Sequence, residues 1–85
     1  MARKRRTRLE IIADILAVLS TGCRPPTRLA TEANLAYDRM AKIMESLVEK
    51  GLVREDAGVY CITQEGHRLL EAYRQWRNFL DAVGI

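Results

Sequence analysis

The residues with the clearest chemistry form a basic segment at the start of the chain. No acidic residue precedes position 10, and the first eight residues contain five cations: Arg3, Lys4, Arg5, Arg6 and Arg8. The remaining chain carries nine basic and eleven acidic residues, so the net charge of +3 comes from this segment. Cations clustered on a terminal arm are typical of proteins that bind phosphate backbones. A solubilising tail is the alternative interpretation.

Side chains that could support catalysis or bind a metal ion are scarce. His67 is the single histidine, and it falls on the solvent side of a predicted helix beside Arg68. Two cysteines and one histidine are too few for a closed zinc site, which needs four protein ligands. No glycine-rich phosphate loop and no serine or cysteine with a neighbouring base is found. We therefore expect no enzyme activity, no cofactor, no metal site and no small-molecule substrate.

Two longer helices are predicted at the ends of the chain. Thr7 and Glu10 have the spacing of a capping box, and the first helix should run from there to about Ser20. Thr63 is the expected N-cap of a last helix over residues 64–83. No segment reaches the ~20 apolar residues of a membrane span, so no membrane partner is expected.

The middle of the chain predicts a helix-turn-helix. Residues 27–33 form a short helix with Thr27 as its N-cap, because two prolines precede it. Residues 34–36 form a tight connection, and residues 37–50 form a longer amphipathic helix that ends at Gly51. Such a unit presents the rigid start of its second helix to the groove of a duplex.

A β-hairpin follows, with strands at residues 52–55 and 59–62, and it completes a winged helix-turn-helix. In winged folds a short strand before the second helix often pairs with the far strand of the hairpin. That pairing would bring Cys23 and Cys61 face to face. A disulfide between them and two buried free thiols both remain open at this point.

The candidate DNA contacts are exposed basic or hydroxyl side chains on these elements. Arg39 offers paired donors for a guanine edge or a phosphate, and Lys42 lies one turn further along. Tyr37 could donate its hydroxyl to a phosphate or pack against the preceding turn. We expect the wing tip to stay out of the groove, because Glu55 and Asp56 would repel phosphates. The predicted set is Arg3, Lys4, Arg5, Arg6, Arg8, Arg24, Arg28, Tyr37, Arg39, Lys42 and Arg54.

The last helix carries a second kind of signal. A row of its apolar residues alternates spacings of four and three, as in a heptad seam: Leu69, Tyr73, Trp76, Leu80 and Val83. So small a body cannot cover the whole seam, so we expect a homodimer through this helix, with part of the seam also touching the body. Packing of the seam entirely on the first helix is the alternative.

The expected fold class is mainly α (α+β), a winged helix-turn-helix with a long C-terminal helix that forms a dimerisation coiled coil. We divide this single structural domain into a flexible basic arm at residues 1–8, the winged body at residues 9–62 and the dimerisation helix at residues 63–85.

Several short motifs together resemble one known family. They are the Asn-Leu-x-Tyr turn at residues 34–37, the Glu-Lys-Gly-Leu-Val helix exit at residues 49–53, and a strand followed by Thr63 and Gly66. In this order, over residues 5–73, the chain resembles the archaeal winged-helix family that includes the small dimeric 10a-type chromatin proteins.

The resemblance implies DNA binding, as a chromatin component or a transcription regulator. It assigns recognition to residues 37–50 and antiparallel coiled-coil dimerisation to residues 64–83, a helix shorter than in the chromatin members. Ala36 stands where the family often has serine, and the missing cap costs ~0.5–2 kcal/mol. We therefore predict a cytoplasmic, nucleoid-associated homodimer that binds double-stranded DNA. The alternative, motivated by the acidic wing, is a winged-helix module that binds another protein and no DNA.

Overall fold

The computed structural model describes residues 5–84, so Arg3 and Lys4 lie outside the described residues. The predicted order of elements is confirmed: a first helix, the two helices of the helix-turn-helix, a hairpin and a last helix. The elements are α1 (Arg8–Leu19), α2 (Pro26–Glu32), α3 (Tyr37–Glu49), β1 (Val53–Asp56), β2 (Val59–Ile62) and α4 (Gln64–Ala82).

The predicted capping box at the start of α1 is confirmed. The backbone N–H of Glu10 donates to Thr7 Oγ1 at 3.1 Å, and the backbone N–H of Thr7 donates to Glu10 Oε1 at 2.9 Å. These bonds satisfy donors that a helix start leaves unpaired. α1 therefore takes in Arg8, which the sequence-based division placed in the arm.

The start of α2 differs from the prediction. Pro26 is the first residue of the helix and Pro25 is the N-cap, so Thr27 lies inside the helix and does not cap it. Proline suits the first helical position because its fixed φ matches the helix. The N–H that proline lacks would have no intrahelical partner there.

Both helices of the helix-turn-helix end in the same hydrogen-bonded turn. After α2, the backbone N–H of Leu35 donates to the Ala30 carbonyl at 2.8 Å, across Asn34 with a φ of 57°. After α3, Leu52 makes the equivalent bond at 2.9 Å across Gly51, whose φ is 76°. Glycine and asparagine favour this left-handed conformation, which closes the helix and reverses the chain. The connection that results, residues 33–36, is one residue longer than predicted and leads directly into α3.

The hairpin has a two-residue turn, with Asp56 opposite Val59 in the antiparallel register. Ala57 and Gly58 have φ values of 50° and 84°, the signature of a type I′ turn. β1 begins at Val53, one residue later than predicted.

The core lies between α1, α2 and α3 and is closed by the hairpin and the first half of α4. Its largest fully buried side chains are Ile11, Ile15, Leu16, Leu19, Leu29, Met40, Met44, Leu47 and Val53. The apolar side chains of α3 recur at helical spacing, so they are buried together on one face. The opposite face of α3 therefore points to solvent.

The predicted pairing between the segment before α2 and the far hairpin strand is present. The N–H of Arg24 donates to the Tyr60 carbonyl at 2.9 Å, and the N–H of Tyr60 donates to the Arg24 carbonyl at 2.8 Å. The bridge aligns the neighbouring cysteines, and the structure joins Cys23 and Cys61 in a disulfide with their Cα atoms 4.4 Å apart. The hairpin is thereby linked covalently to the start of the helix-turn-helix.

Thr63 and Gly66 set the point where α4 leaves the body. Thr63 Oγ1 accepts from the Gly66 N–H at 3.1 Å and donates to the Gly51 carbonyl at 2.6 Å. A Cβ on Gly66 would overlap the Leu52 carbonyl and the Ile62 side chain.

None of the helices within residues 5–84 has both the length and the apolar character to cross a membrane.

Candidate nucleic-acid interface

The N-terminal end of α3 faces solvent. Tyr37, its first residue, is 50% exposed, whereas Met40, one turn later, is fully buried and sets the helix orientation. Ala36, the N-cap, has no side-chain oxygen to accept a cap bond, as the absence of serine predicts. Asp38 in the first turn partly compensates, because a negative charge favours the positive end of the helix dipole.

Two cations on this part of α3 are available to a ligand. Arg39 and Lys42 are exposed, and neither side chain makes a hydrogen bond or an ion pair within residues 5–84. Residues three apart are neighbours on a helix surface, so the two charges lie side by side. Arg39 can offer a planar pair of donors to a guanine edge or a phosphate, and Lys42 offers a point charge.

Arg28, on α2, is partly available. Its Nε donates to Glu32 Oε2 at 2.9 Å one turn along the same helix, yet the side chain remains 69% exposed. An exposed ion pair contributes ~0–1 kcal/mol, so a phosphate can compete with Glu32 for this guanidinium.

Arg24 was expected to contact the flanking DNA backbone, but the structure uses its side chain inside the fold. The Nε donates to Glu32 at 2.9 Å, Nη1 to the Gly22 carbonyl at 2.8 Å, and Nη2 to the Thr21 hydroxyl at 2.9 Å. The side chain is only 18% exposed. Hydrogen bonds from Arg24 and then Arg28 hold the pKa of Glu32 below its ordinary value of 4.5. Arg24 thus organises the segment between α1 and α2.

Arg6, expected in the DNA-binding arm, is held by the body of the protein. Its Nη1 donates to Asp14 Oδ2 at 2.8 Å and to the Ala33 carbonyl at 3.0 Å, and its Nη2 donates to the Asn34 carbonyl at 2.7 Å. These carbonyls lie at the C-terminal end of α2, where a cation is favourable for the helix dipole.

The other cations of the N-terminal segment are less constrained. Arg5 and Arg8 are exposed, and each lacks a hydrogen-bond or ion-pair partner in the described chain from residue 5 to residue 84. Nothing follows for Arg3 and Lys4, which fall outside that range.

The hairpin offers little positive charge. Arg54 Nη1 pairs with Asp56 Oδ2 at 3.2 Å, and both side chains are well exposed. The neighbouring Glu55 is exposed as well. Arg54 is thus offset by the neighbouring carboxylates, and whether the wing tip stays out of a groove remains a prediction.

A carboxylate of α3 and one of the hairpin lie near Tyr60. Burial raises the pKa of Tyr60 above its usual value of 10, and the charges of Glu55, Tyr37 and Glu45 raise it further. Glu55 lies directly opposite Tyr60 in the hairpin register. Glu45 on α3 and Glu55 on the hairpin are therefore close to Tyr60, whereas Arg39 lies in the first turn of α3 beside Asp38.

A separate apolar surface lies on α4. Trp76 and Phe79 stack with ring centroids 5.9 Å apart and are 55% and 57% exposed. With Ala72 and Gln75 they line a shallow, open depression. We call Trp76 and Phe79 the aromatic pair. The predicted seam did not include Phe79, although Ala72, Trp76, Phe79 and Val83 repeat the same four-three spacing in another frame.

The predicted seam residues divide between the body and solvent. Leu69 and Tyr73 are partly buried against the core, as expected for the part of the seam that touches the body. Leu80 is half-buried, and Trp76 and Val83 are exposed. The second half of α4 therefore carries the uncovered apolar surface.

Side chains that could bind a metal ion do not converge: residues 5–84 contain no group of three or more His, Cys, Asp or Glu residues arranged as ligands. His67 is exposed on the first turn of α4.

Known proteins with similar sequences or structures place this geometry in context. The uncharacterized protein MJ0287 of Methanocaldococcus jannaschii is 27% identical over 67 residues, which cover 79% of this chain and 69% of that protein. The solved structure of Lactococcus lactis ZitR superposes with a TM-score of 0.69 at 13% identity over 98% of this chain. The transcriptional repressor CouR, bound to p-coumaroyl-CoA, superposes with a TM-score of 0.64 at 18% identity over 95% of it.

The chain spans 61% of the ZitR chain and 64% of the CouR chain, and at these identities the likeness establishes the fold alone. The sequence model of one family, described as winged helix-turn-helix, matches residues 5–81. Because that match covers nearly the whole chain and the fold agrees with it, the chain belongs to the winged helix-turn-helix family.

Proposed function

We propose that the protein is a homodimeric, double-stranded-DNA-binding regulator whose α3 enters the major groove. The observation that carries the proposal is the pair of cations at the exposed start of α3, Arg39 and Lys42, whose side chains have no partner among residues 5–84. In helix-turn-helix proteins the N-terminal residues of the second helix contact base edges. Membership of the winged helix-turn-helix family supports this docking mode.

The contacts divide by chemistry. Arg39 is suited to a base edge, because its fork can donate twice to guanine. Lys42 and Arg28 are suited to phosphates, which position a protein without reading sequence, and so are the other cations of the N-terminal segment: Arg3, Lys4, Arg5 and Arg8. A site with one base-reading candidate among several phosphate contacts favours modest sequence preference. This balance fits a transcription regulator and equally a chromatin-associated protein of the 10a type.

The aromatic pair supports the homodimer. Trp76 and Phe79 form a contiguous exposed apolar surface on one helix face, and a contiguous exposed apolar patch is a feature of interaction sites. A second α4 laid along Trp76, Phe79 and Val83 would cover them with apolar surface of matching spacing. Two copies would present two α3 helices to half-sites about one helical turn, ~34 Å, apart.

The proposed dimer is tested by light scattering of the purified protein. The doubly charged variant Trp76→Glu/Phe79→Glu should be a monomer at concentrations where the wild type is a dimer. The neighbouring exposed variant Asn78→Glu adds a charge without removing an aromatic ring and should stay dimeric. A wild-type protein that is monomeric at tens of micromolar would contradict the dimer.

The proposed DNA contacts are tested by fluorescence anisotropy with a labelled duplex at several salt concentrations. Arg39→Gln should weaken binding by ~1–3 kcal/mol, and Lys42→Gln should reduce the slope of log affinity against log salt by ~0.9. The controls Arg74→Gln and Lys50→Gln remove the same charge from α4 and from the far end of α3. Equal losses in the controls would show that net charge, and not the start of α3, governs binding.

A further inference from the structure

We propose that Glu32 is a positioning residue, which is held by Arg24 and in turn holds Arg28 for contact with a DNA phosphate. The inference rests on the proposed DNA binding and adds to it the residue that prepares one of its phosphate contacts. Glu32 was not among the predicted site residues, and as an isolated carboxylate it would repel phosphates.

Arg24 is the fixed end of this three-residue cluster. Its main chain pairs with that of Tyr60 through hydrogen bonds of 2.9 and 2.8 Å. Its guanidinium donates from all three nitrogens to acceptors of the fold, and one of these acceptors is Glu32 Oε1, which lies 2.9 Å from Nε. Because both its main chain and its side chain are bound, Arg24 is an anchor for the carboxylate of Glu32.

Glu32 connects this anchor to Arg28. One carboxylate oxygen accepts from Arg24, and the other, Oε2, accepts from Arg28 Nε at 2.9 Å. The exposed fraction of the side chain rises along the cluster, from 18% at Arg24 to 31% at Glu32 and 69% at Arg28. An isolated ion pair between residues four apart on a helix has two flexible partners, whereas here one partner is itself anchored. Glu32 therefore restrains Arg28 more than such a pair would.

The bond from Glu32 leaves free the part of Arg28 that suits a phosphate. Only Nε is bonded, so the two terminal nitrogens have no hydrogen-bond partner within residues 5–84. A phosphate can accept from both terminal nitrogens without displacing Glu32. Arg28 lies on α2, and the first helix of a helix-turn-helix crosses the DNA backbone in this docking mode. A side chain that is restrained beforehand loses less freedom on binding, so the contact is stronger.

Two simpler roles would also explain the bonds of Glu32, and they differ from positioning in their effect on DNA binding. A carboxylate that only repels phosphates would make Glu32→Gln bind more tightly. A carboxylate that only stabilises α2 would affect binding equally with or without Arg28. A positioning carboxylate strengthens binding only while Arg28 is present, which is the coupling that a double-mutant cycle measures.

The test is such a cycle in the full chain, with the affinity for a labelled duplex measured by fluorescence anisotropy at fixed salt. In the wild type, Glu32→Gln should weaken binding about threefold, the cost of ordering one released arginine side chain. In the Arg28→Gln background the same substitution should not weaken binding. The control Glu49→Gln removes an exposed carboxylate from the far end of α3 and should not weaken binding in either background. Urea unfolding of each variant confirms that the proteins compared are folded.

A second readout needs no DNA. The ¹⁵N heteronuclear NOE of the Arg28 Nε–H group should show a restrained side chain in the wild type and should fall in Glu32→Gln. Arg39 is exposed, and its side chain has no partner among residues 5–84, so its Nε–H group is the mobile reference and should not change.

Three results would overturn the positioning role of Glu32 and leave the proposed function intact. They are unchanged or tighter binding by Glu32→Gln, an equal loss of affinity in both backgrounds, and an Arg28 Nε–H group as mobile in the wild type as in Glu32→Gln. If the wild type binds no duplex, the proposed function fails, and the role of Glu32 in DNA binding fails with it.

Discussion

The disulfide should supply a large part of the folding stability of this small domain. Cys23 and Cys61 are separated by 38 residues, so their bond closes a long loop in the unfolded chain. In the chain-entropy treatment a loop of that length is worth about 4 kcal/mol at 25 °C. Domains of this size are stable by only ~5–15 kcal/mol in total. Reduction should therefore lower the free energy of unfolding by up to about 4 kcal/mol.

Urea unfolding with and without a phosphine reductant measures this difference. Protein concentration must be held constant, because a dimer would make the midpoint depend on it. Cys23→Ser is the suitable variant, since Cys23 is exposed whereas Cys61 is buried in the core. This variant should match the reduced wild type and should not respond to the reductant.

Mass spectrometry of the unreduced, alkylated protein checks the starting state and should find no alkylated cysteine. Coincident unfolding midpoints of the oxidised and reduced wild type would refute the reasoning, because the bond would then add nothing that the paired backbone of Arg24 and Tyr60 does not already provide.

Three further predictions concern single positions. Hydrogen bonds from Arg24 depress the pKa of Glu32, so the stabilisation that they provide is present above pH 4.5 and should be lost as pH falls through the lower folded pKa. Glu32→Gln should therefore flatten the fall in the free energy of unfolding, measured by urea unfolding from about pH 5 to 3. Gly66→Ala should destabilise the protein by ~1–3 kcal/mol, because the added Cβ would meet the Leu52 carbonyl. The sign is opposite to the usual preference of helices for alanine over glycine. His67→Ala, at the next and exposed position, is the control for a substitution at this helix start. Ala57→Asn should raise the melting temperature by about 5 °C, because asparagine tolerates the positive φ of this turn.

Local sequence signals were sufficient for most of the fold. The Thr7–Glu10 capping box, the glycine after α3 and the turn residues of the hairpin each act over three or four neighbouring residues. The pairing of the segment before α2 with the far hairpin strand followed from the expected arrangement of those elements. The N-cap of α2 was predicted two residues too late, at Thr27 instead of Pro25, because proline at the first helical position was treated as a helix breaker.

The candidate site was less predictable, because the availability of a charged side chain depends on distant partners. The carbonyls bound by Arg6 lie 27 and 28 residues away, and Arg24 bonds to Glu32 on α2. No local sequence pattern marks these contacts, so the sequence does not show which basic side chains near the helix-turn-helix are bound within the fold. Phe79 was placed outside the predicted seam because two heptad frames overlap on α4, and only packing decides which one faces the body.

If the protein binds DNA as proposed, the exposed start of α3 contacts the duplex. The most direct measurement is an NMR titration of the ¹⁵N-labelled protein with a short duplex, followed amide by amide. We expect the largest shifts at residues 37–42 and at Arg5, with small changes at the hairpin turn. Shifts confined to the hairpin or to the aromatic pair, with residues 37–42 unchanged, would contradict this expectation.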